Sequence, residues 1–194
     1  NQEQPLAEYR VSTISPISVS ISNIANLKQK ENVLIVNMEN QTTITTITDQ
    51  KIYQIDKLEN GAAEALEEIR LKENSYSKAY EICKNSTIYT MEGQELQEET
   101  NEYLDNIMPT LYKIATAVKE IVSSSLMKID KVYLTGTLSV VNNIDLYFQE
   151  VLGTEKCEIL KPFFIKDSLK VNMKDYIEVN SAIALALQGL EYRS

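Results

Sequence analysis

Short runs of apolar residues along this chain are separated by longer stretches with helical spacing. Val33–Met38 is an apolar run, which is typical of a strand buried on both faces. The β-branched run Thr42–Thr48 predicts the next strand, and the pair Asp49-Gln50 predicts a turn before a third strand at Lys51–Leu58. The first part of the chain therefore predicts a buried strand followed by a hairpin. Upstream, Val11–Leu27 is expected to supply a strand and a helix that enter the domain.

Helical spacing dominates the middle of the chain. Apolar positions predict one helix after Gly61 and a second at about Ser75–Lys84. A long amphipathic helix is predicted from an apolar stripe of eight residues, and Pro109 predicts a kink or a split in it. The stripe is Tyr103, Ile107, Leu111, Ile114, Ala115, Val118, Ile121 and Val122.

The last third of the chain repeats the order of strand and helix. Val132–Thr135 predicts a buried strand that ends at Gly136. Asn142-Asn143 is expected to cap the following helix, and Gly153 stands where a helix-terminating glycine belongs. Apolar and small residues between 179 and 190 predict a closing helix that packs on the sheet. Alternating strands and helices indicate an α/β fold: a mixed sheet with helices on its faces.

Composition excludes several kinds of chemistry. The chain has no histidine, so a serine or cysteine nucleophile paired with histidine is excluded. The two cysteines, Cys83 and Cys157, cannot form a closed zinc site and are expected to be reduced and buried. The five glycines lie far apart, which excludes a Walker A loop and a Gly-x-Gly-x-x-Gly loop.

Charge further narrows the range of partners. The chain carries a net charge of −9, which disfavours binding to nucleic acid. A cluster of acids is interpreted as a solvated helix face and not as a metal site. Its members are Glu92, Glu95, Glu98, Glu99, Glu102 and Asp105. No apolar window is long enough to predict a membrane span.

Three segments, in order, resemble the second large domain of actin-like ATPases, above all the PilM/FtsA group of type IV pilus assembly and cell division. Val33–Thr48 is similar to the family's second phosphate hairpin, an apolar strand followed by Asp-Ile-Gly and a Thr-Thr pair. Tyr80–Lys84 resembles the Ala-Glu-x-x-Lys segment near the nucleoside. Val132–Ile144 resembles the adenosine motif Leu-Thr-Gly-Gly-x-Ser. Asn180–Gly189 is similar to the Gly-Leu-Ala-Leu-Arg helix that closes PilM-type domains.

The resemblance implies a nucleotide site with departures from the family pattern. Residues implied to contact nucleotide are Asn37, Thr42, Thr43, Glu81, Lys84, Gly136 and Thr137. Asn37 replaces the Asp that helps to hold metal-bound phosphates, and Glu39 replaces a glycine, which blocks backbone approach and repels phosphate. Tyr80 and Thr137 replace an alanine and the second glycine of the adenosine motif. The matching threonines, the Glu81–Lys84 pair and Gly136 also have ordinary structural explanations, which we favour.

We therefore expect an actin-like ATPase (ribonuclease H-like) domain at 31–194, the second half of the full fold with two subdomains, after a leading segment at 1–30. Because the chain begins at Asn1, we expect a piece of a longer protein. The leading hypothesis is a non-catalytic scaffold of a PilM-like pilus or secretion protein. Such a domain would lie in the cytoplasm at the inner face of the membrane, bind protein partners and form a homo-oligomer, without a cofactor.

Two alternatives stay open. The first is the ATP-binding half of an FtsA-like ATPase, in which ATP and Mg²⁺ would require the missing first domain. The second is half of a sugar- or acetate-kinase-like enzyme, since phosphoryl transfer depends on positioning and electrostatics and does not need histidine.

Overall fold

A five-stranded mixed sheet forms the centre of the protein. The computed structural model describes residues 16–88, 103–166, 169 and 171–191. The strands are β1 Asn32–Met38, β2 Thr42–Thr48, β3 Lys51–Leu58, β4 Lys131–Thr135 and β5 Cys157–Ile159. Their order is β3-β2-β1-β4-β5, with β1 antiparallel to β2 and parallel to β4. The two predicted buried strands, Val33–Met38 and Val132–Thr135, therefore lie side by side in β1 and β4.

Helices cover both faces of this sheet, which confirms the predicted α/β architecture. The helices of the described residues are α1 Ile17–Ser20, α2 Ala62–Glu73, α3 Tyr76–Asn85, α4 Leu104–Ser124, α5 Ile144–Leu152, α6 Met173–Ile177 and α7 Asn180–Glu191. Two 3-10 helices span Ile21–Ile24 and Thr137–Val140. Helices α2, α4 and α5 pack in the core on one face, while α1, the first 3-10 helix and α7 pack together on the other.

Strand β1 is buried on both sides because its side chains point alternately into two cores. Leu34, Val36 and Met38 belong to the larger core, and Val33 and Ile35 belong to the smaller one. Successive side chains of a strand point to opposite faces, so a nearly continuous apolar run is needed at this central place. The run at 33–38 therefore predicts the central strand correctly.

The β2–β3 hairpin is also confirmed with the predicted bounds. Asp49 and Gln50 both have positive φ, at 48° and 64°. Two-residue hairpin turns with positive φ at both positions match the twist of the flanking strands. This geometry keeps Thr48 opposite Lys51 in the register.

Three local predictions hold only in part. Of the strand and the helix expected from Val11–Leu27, the structure shows helices at Ile17–Ser20 and Ile21–Ile24, because Ile17, Ile21 and Ile24 recur at helical spacing and pack on the smaller core. Residues 11–15 lie outside the described residues, so the strand stays a prediction. Pro109 does not divide α4, whose buried stripe on both sides of the proline holds one helix of 21 residues against the larger core. Asn143 makes no side-chain capping bond and instead has positive φ at the start of α5.

The cysteines behave as expected for structural thiols. Cys83 and Cys157 are buried and form no disulfide. Burial raises the pKa of both thiols to about 12, so both stay protonated at neutral pH. The predicted acidic face at 92–102 lies outside the described residues, and its last member, Asp105, is in the first turn of α4.

Candidate functional site

Polar side chains meet where the parallel strands β1 and β4 end. In the register, Asn37 lies between Thr43 of β2 and Thr135 of β4. Residues paired across neighbouring strands point to the same face of a sheet. The three side chains therefore form a row on the face covered by α7. Thr42 is paired with Met38 and points to the opposite face, into the larger core.

Several oxygens in this row are buried without a hydrogen-bond partner. Asn37 is 1% exposed and Asn180, the first residue of α7, is fully buried. Asn180 donates from Nδ2 to Thr135 Oγ1 at 3.0 Å and to the carbonyl of Leu160 at 2.9 Å. Three buried oxygens without a partner among the described residues lie in or beside this row: Asn37 Oδ1, Thr43 Oγ1 and Asn180 Oδ1. Two others lie elsewhere, Ser139 Oγ in the 3-10 helix after β4 and Thr42 Oγ1 on the opposite face of the sheet. Buried polar atoms without hydrogen-bond partners are rare in folded proteins. These oxygens could therefore accept further hydrogen bonds.

Gly136 lets the chain turn directly over Asn37. Its φ is +89°, a conformation that side chains rarely adopt. A Cβ here would lie 2.7 Å from Asn37 Oδ1 and from the backbone nitrogen of Met38. The glycine is therefore required both by the turn and by the close approach of β4 to β1.

The loop between β1 and β2 is closed by its own carboxylate. Glu39 accepts a hydrogen bond from Thr137 Oγ1 at 2.6 Å and another from Ser181 Oγ at 3.0 Å. These hydroxyls come from the 3-10 helix after β4 and from the first turn of α7. The carboxylate of Glu39 thus joins the loop after β1 to the 3-10 helix after β4 and to the first turn of α7.

The N-terminus of α2 is directed at the same loop. The amide of Ala62 donates to the backbone carbonyl of Glu39 at 2.7 Å. Gly61 precedes the helix, and a Cβ at this position would lie 2.5 Å from the carbonyl oxygens of Glu39 and Asn40. An amide that could bind an anion is therefore already bonded to protein backbone.

Lys84 lies at a junction between α3 and the segment that leads into α7. It pairs with Glu178, which also accepts a hydrogen bond from Tyr80 Oη at 2.9 Å. Hydrogen bonding to Lys84 is the main cause that lowers the pKa of the Glu178 carboxyl. Lys174 donates to the carbonyl of Lys84, so the end of α3 is held on both sides by the α6 region.

Glu81 does not join this group. It is exposed on α3 and lines a surface cleft of about 360 Å³ with Glu73, Lys78 and Tyr103. Of the residues implied by the resemblance, the structure brings Asn37, Thr43, Gly136 and Thr137 together. Thr42 lies on the other face of the sheet. Lys84 is linked to the site indirectly, because its partner Glu178 belongs to the same short segment as Ser181, which bonds to Glu39.

The sequence did not reveal the part played by Glu178, Asn180 and Ser181. Glu39 was recognised only as an obstacle to phosphate. Its partners Thr137 and Ser181 lie 98 and 142 positions further along the chain, and no local pattern links residues so far apart. The resemblance marked Asn180–Gly189 as a closing helix, and an Asn-Ser pair at a helix start is a common capping signal, but neither feature indicates contacts with β4 or with Glu39.

Metal-ligand clusters and membrane-spanning helices are both absent from the described residues. Within residues 16–88, 103–166 and 171–191, no group of three or more histidine, cysteine or acidic side chains is placed to hold a metal ion. In the same ranges no helix is long and apolar enough to cross a membrane.

Comparison with known proteins shows similarity in fold. No protein-family model matches the chain, and no curated protein matches its sequence. The ethanolamine utilization protein EutJ from Carboxydothermus hydrogenoformans is 17% identical with a TM-score of 0.58, over 88% of this chain and 53% of EutJ. A chain of the PilM–PilN type IV pilus biogenesis complex is 16% identical with a TM-score of 0.63, over 89% of this chain and 50% of that one.

A third solved structure has the same fold. MreB 5 of Spiroplasma citri bound to AMPPNP is 12% identical with a TM-score of 0.64, over 91% of this chain and 59% of its own. The chain therefore has the actin-like ATPase fold, as the resemblance implied. It spans between 50% and 59% of the length of these structures.

Proposed function

We propose that this chain is a non-catalytic domain with the actin-like fold, which supports a membrane-associated assembly of the pilus or secretion type through protein partners. The observation that carries the proposal is the position of Glu39. Its carboxylate is held by Thr137 and Ser181 in the loop that resembles a phosphate hairpin. A fixed negative charge at this place repels a phosphate that approaches the loop.

Two further contacts support the loss of phosphate binding. The amide of Ala62 at the N-terminus of α2 is occupied by the carbonyl of Glu39. The neutral amide of Asn37 stands where the resemblance implies a metal-binding carboxylate, and an amide holds a divalent cation less firmly. Both changes remove groups that would stabilise the phosphates of ATP with Mg²⁺.

The proposal that this chain binds protein partners is supported by a structural neighbour. One structural neighbour is part of the PilM–PilN type IV pilus biogenesis complex. We infer a similar role for this chain, in which the domain binds other proteins through its surface and catalyses no reaction.

The alternative function is ATP binding in a longer protein that supplies an opposing domain. The buried oxygens without partners, Asn37 Oδ1, Thr43 Oγ1 and Asn180 Oδ1, favour it because they could hydrogen-bond a ligand at the crevice. In that case Glu39 would have to move away from Thr137 when nucleotide binds.

Thermal unfolding with and without millimolar ATP–Mg²⁺ tests whether Glu39 prevents this chain from binding nucleotide. Ligand at 100 times its Kd stabilises the native state by about 2.7 kcal/mol, which corresponds to a shift of roughly 5–11 °C for a chain of this size. We expect no shift for the wild-type chain and a shift for Glu39→Gly, which removes the charge and the side chain together. Glu120→Gly, at an exposed position of α4, serves as the matched control.

Each outcome has a defined meaning. A shift of several degrees in the wild-type chain would overturn the proposal and establish the alternative. If the wild-type chain and Glu39→Gly both fail to shift while both remain folded, nucleotide binding is lost for reasons other than Glu39. Glu39 would then not be the residue that excludes phosphate.

A further inference from the structure

Lys174, on helix α6, is a half-buried lysine without a carboxylate partner. Its Nζ donates a hydrogen bond to the backbone carbonyl of Lys84, at the end of α3. The ion pairs among the described residues include Lys84 with Glu178 but none with Lys174. Charged groups that are taken out of water are normally paired, so the position of Lys174 disfavours its ammonium form.

The charges around Lys174 act in the same direction. Desolvation by burial, followed by the charge of Lys84, lowers the pKa of Lys174. Two groups of α3 oppose this effect: the exposed Glu81, and Cys83, whose thiol stays protonated at neutral pH because burial raises its pKa to about 12. The neutral, nucleophilic form of the amine is therefore more populated at Lys174 than at an exposed lysine.

The carboxylates nearest to Lys174 in sequence act on Lys84 instead. Glu178 pairs with Lys84 and also accepts a hydrogen bond from Tyr80 Oη at 2.9 Å. Asp175 further favours the charged form of Lys84. The charges of Lys84 and Lys174 lie close enough to repel each other, so a negative charge in place of the Lys174 ammonium would be attracted to Lys84.

We propose that Lys174, held against the end of α3 beside the charge of Lys84, is a site of reversible modification by carbon dioxide. Its neutral Nζ attacks the carbon of carbon dioxide, one C–O π electron pair moves onto oxygen, and one proton passes to solvent. The product is a carbamate with one negative charge. The carbamate nitrogen keeps one N–H, which suffices to retain the hydrogen bond to the carbonyl of Lys84.

Carbon dioxide fits this position better than a larger acyl donor. Because Lys174 is half-buried against α3, a small linear molecule reaches its Nζ more easily than a bulky one. Acylation would remove the positive charge without giving Lys84 a new partner, whereas a carbamate turns repulsion into attraction. The carbamate would compete with Glu178 for Lys84, and so weaken the link between α3 and the segment that leads into α7.

Incubation of the 194-residue chain with isotope-labelled bicarbonate, which supplies carbon dioxide, tests the proposal. Carbamates are made stable by alkylation with a trialkyloxonium salt and are then located by mass spectrometry of peptides. We expect label at Lys174 and at the α-amino group of the chain, whose ordinary pKa of about 8 makes it a positive control. Lys119, an exposed lysine of α4 without an ion pair among the described residues, should stay unlabelled.

Two variants should change the label at Lys174 in opposite directions. Lys84→Met removes the ammonium that disfavours a charged Lys174 and would pair with the carbamate, so the label should fall about threefold or more. Glu178→Gln frees Lys84 from its ion pair, so the label should rise. Lys119→Met and Glu120→Gln make the same changes at exposed positions of α4 and should leave the label at Lys174 unchanged. Circular dichroism establishes that each variant is folded.

Three results would overturn the proposal. They are the absence of label at Lys174 while the α-amino group is labelled, equal label at Lys174 and Lys119, and a label at Lys174 that does not change in folded Lys84→Met or Glu178→Gln. The measurement involves neither nucleotide nor a protein partner, so its failure is independent of the function proposed above.

Discussion

Thr137 Oγ1 donates a hydrogen bond to Glu39 Oε2 at 2.6 Å, across 98 positions of sequence. The first residue follows the glycine turn after β4, and the second follows β1, the parallel neighbour of β4. The bond joins the loops that follow these two parallel strands, at the place where the resemblance implies a phosphate site. A residue that departs from the family pattern is thus also a structural link between the two loops.

The Glu39–Thr137 contact should show measurable coupling. We expect Glu39→Ala to lower the free energy of unfolding by about 1–2 kcal/mol, because hydrogen bonds to a charged group contribute more than neutral ones and Glu39 is only half-buried. Thr137→Val should cost less in the Glu39→Ala background than in the wild-type chain. A double-mutant cycle by urea unfolding checks this, and strictly additive effects would contradict the contact.

Two glycines should respond to the same substitution in opposite ways. Gly61→Ala should destabilise the protein by about 1–3 kcal/mol, because the added Cβ would lie 2.5 Å from the backbone oxygens of Glu39 and Asn40. Gly189→Ala, in the interior of α7 with open space around it, should stabilise it by about 0.5–1 kcal/mol. Thermal unfolding of both variants provides the comparison, and equal effects would contradict the described contact at Gly61.

Asn180 should be among the most sensitive polar positions. Asn180→Ala removes hydrogen bonds to Thr135 Oγ1 and to the carbonyl of Leu160 inside the protein, and we expect a loss of about 1–3 kcal/mol. Asn106→Ala makes the same chemical change at a half-buried position of α4, where Asn106 contacts Lys72 and Glu68 of α2, and should stay within about 0.5 kcal/mol of wild type. A small effect at Asn180 in urea unfolding would contradict its buried position.

The Lys84–Glu178 pair should make stability depend on pH in the acidic range. The pKa of Glu178 is lowered from 4.5, chiefly by its hydrogen bond to Lys84. A depressed carboxyl pKa contributes stability that is present above pH 4.5 and is lost as the pH falls through the lower folded value. Glu178→Gln should therefore be less stable than wild type at pH 7, and this difference should disappear towards pH 3.

Melting curves of both proteins between pH 3 and pH 7 test this dependence. Glu155→Gln, an exposed carboxyl for which the structure shows no ion pair among the described residues, is a suitable control. A difference between Glu178→Gln and wild type that stays constant over the whole range would show that the carboxylate charge does not contribute.

The secondary structure could be predicted well wherever one pattern dominated. The apolar run at 33–38, the threonine run at 42–48 and the turn at Asp49-Gln50 each specify local geometry through side chains only a few residues apart. Of the strand and the helix expected from Val11–Leu27, the helix is found where apolar residues at positions 17, 21 and 24 have helical spacing. Pro109 was overestimated as a breaker, because burial of residues on both sides of it outweighs the loss of one helical hydrogen bond.

The candidate site was only partly accessible from the sequence. The resemblance placed Asn37, Thr43, Gly136 and Thr137 in one region, and the register of β1, β2 and β4 does bring them together. It also included Thr42, yet the alternation of side chains along β2 turns this residue to the opposite face. The sites for nucleotide stay predictions until binding is measured.

The amino-acid sequence was enough to predict strands β1 to β4, the helices between them, the burial of β1 on both faces and the absence of histidine chemistry. These properties depend on composition and on patterns within a few residues. The contacts of Glu39 with Thr137 and Ser181, and of Asn180 with Thr135, became known only from the folded structure. Such contacts depend on how the strands pair and how the helices pack, and both are determined by the whole core. A local sequence pattern therefore does not show which polar atoms meet.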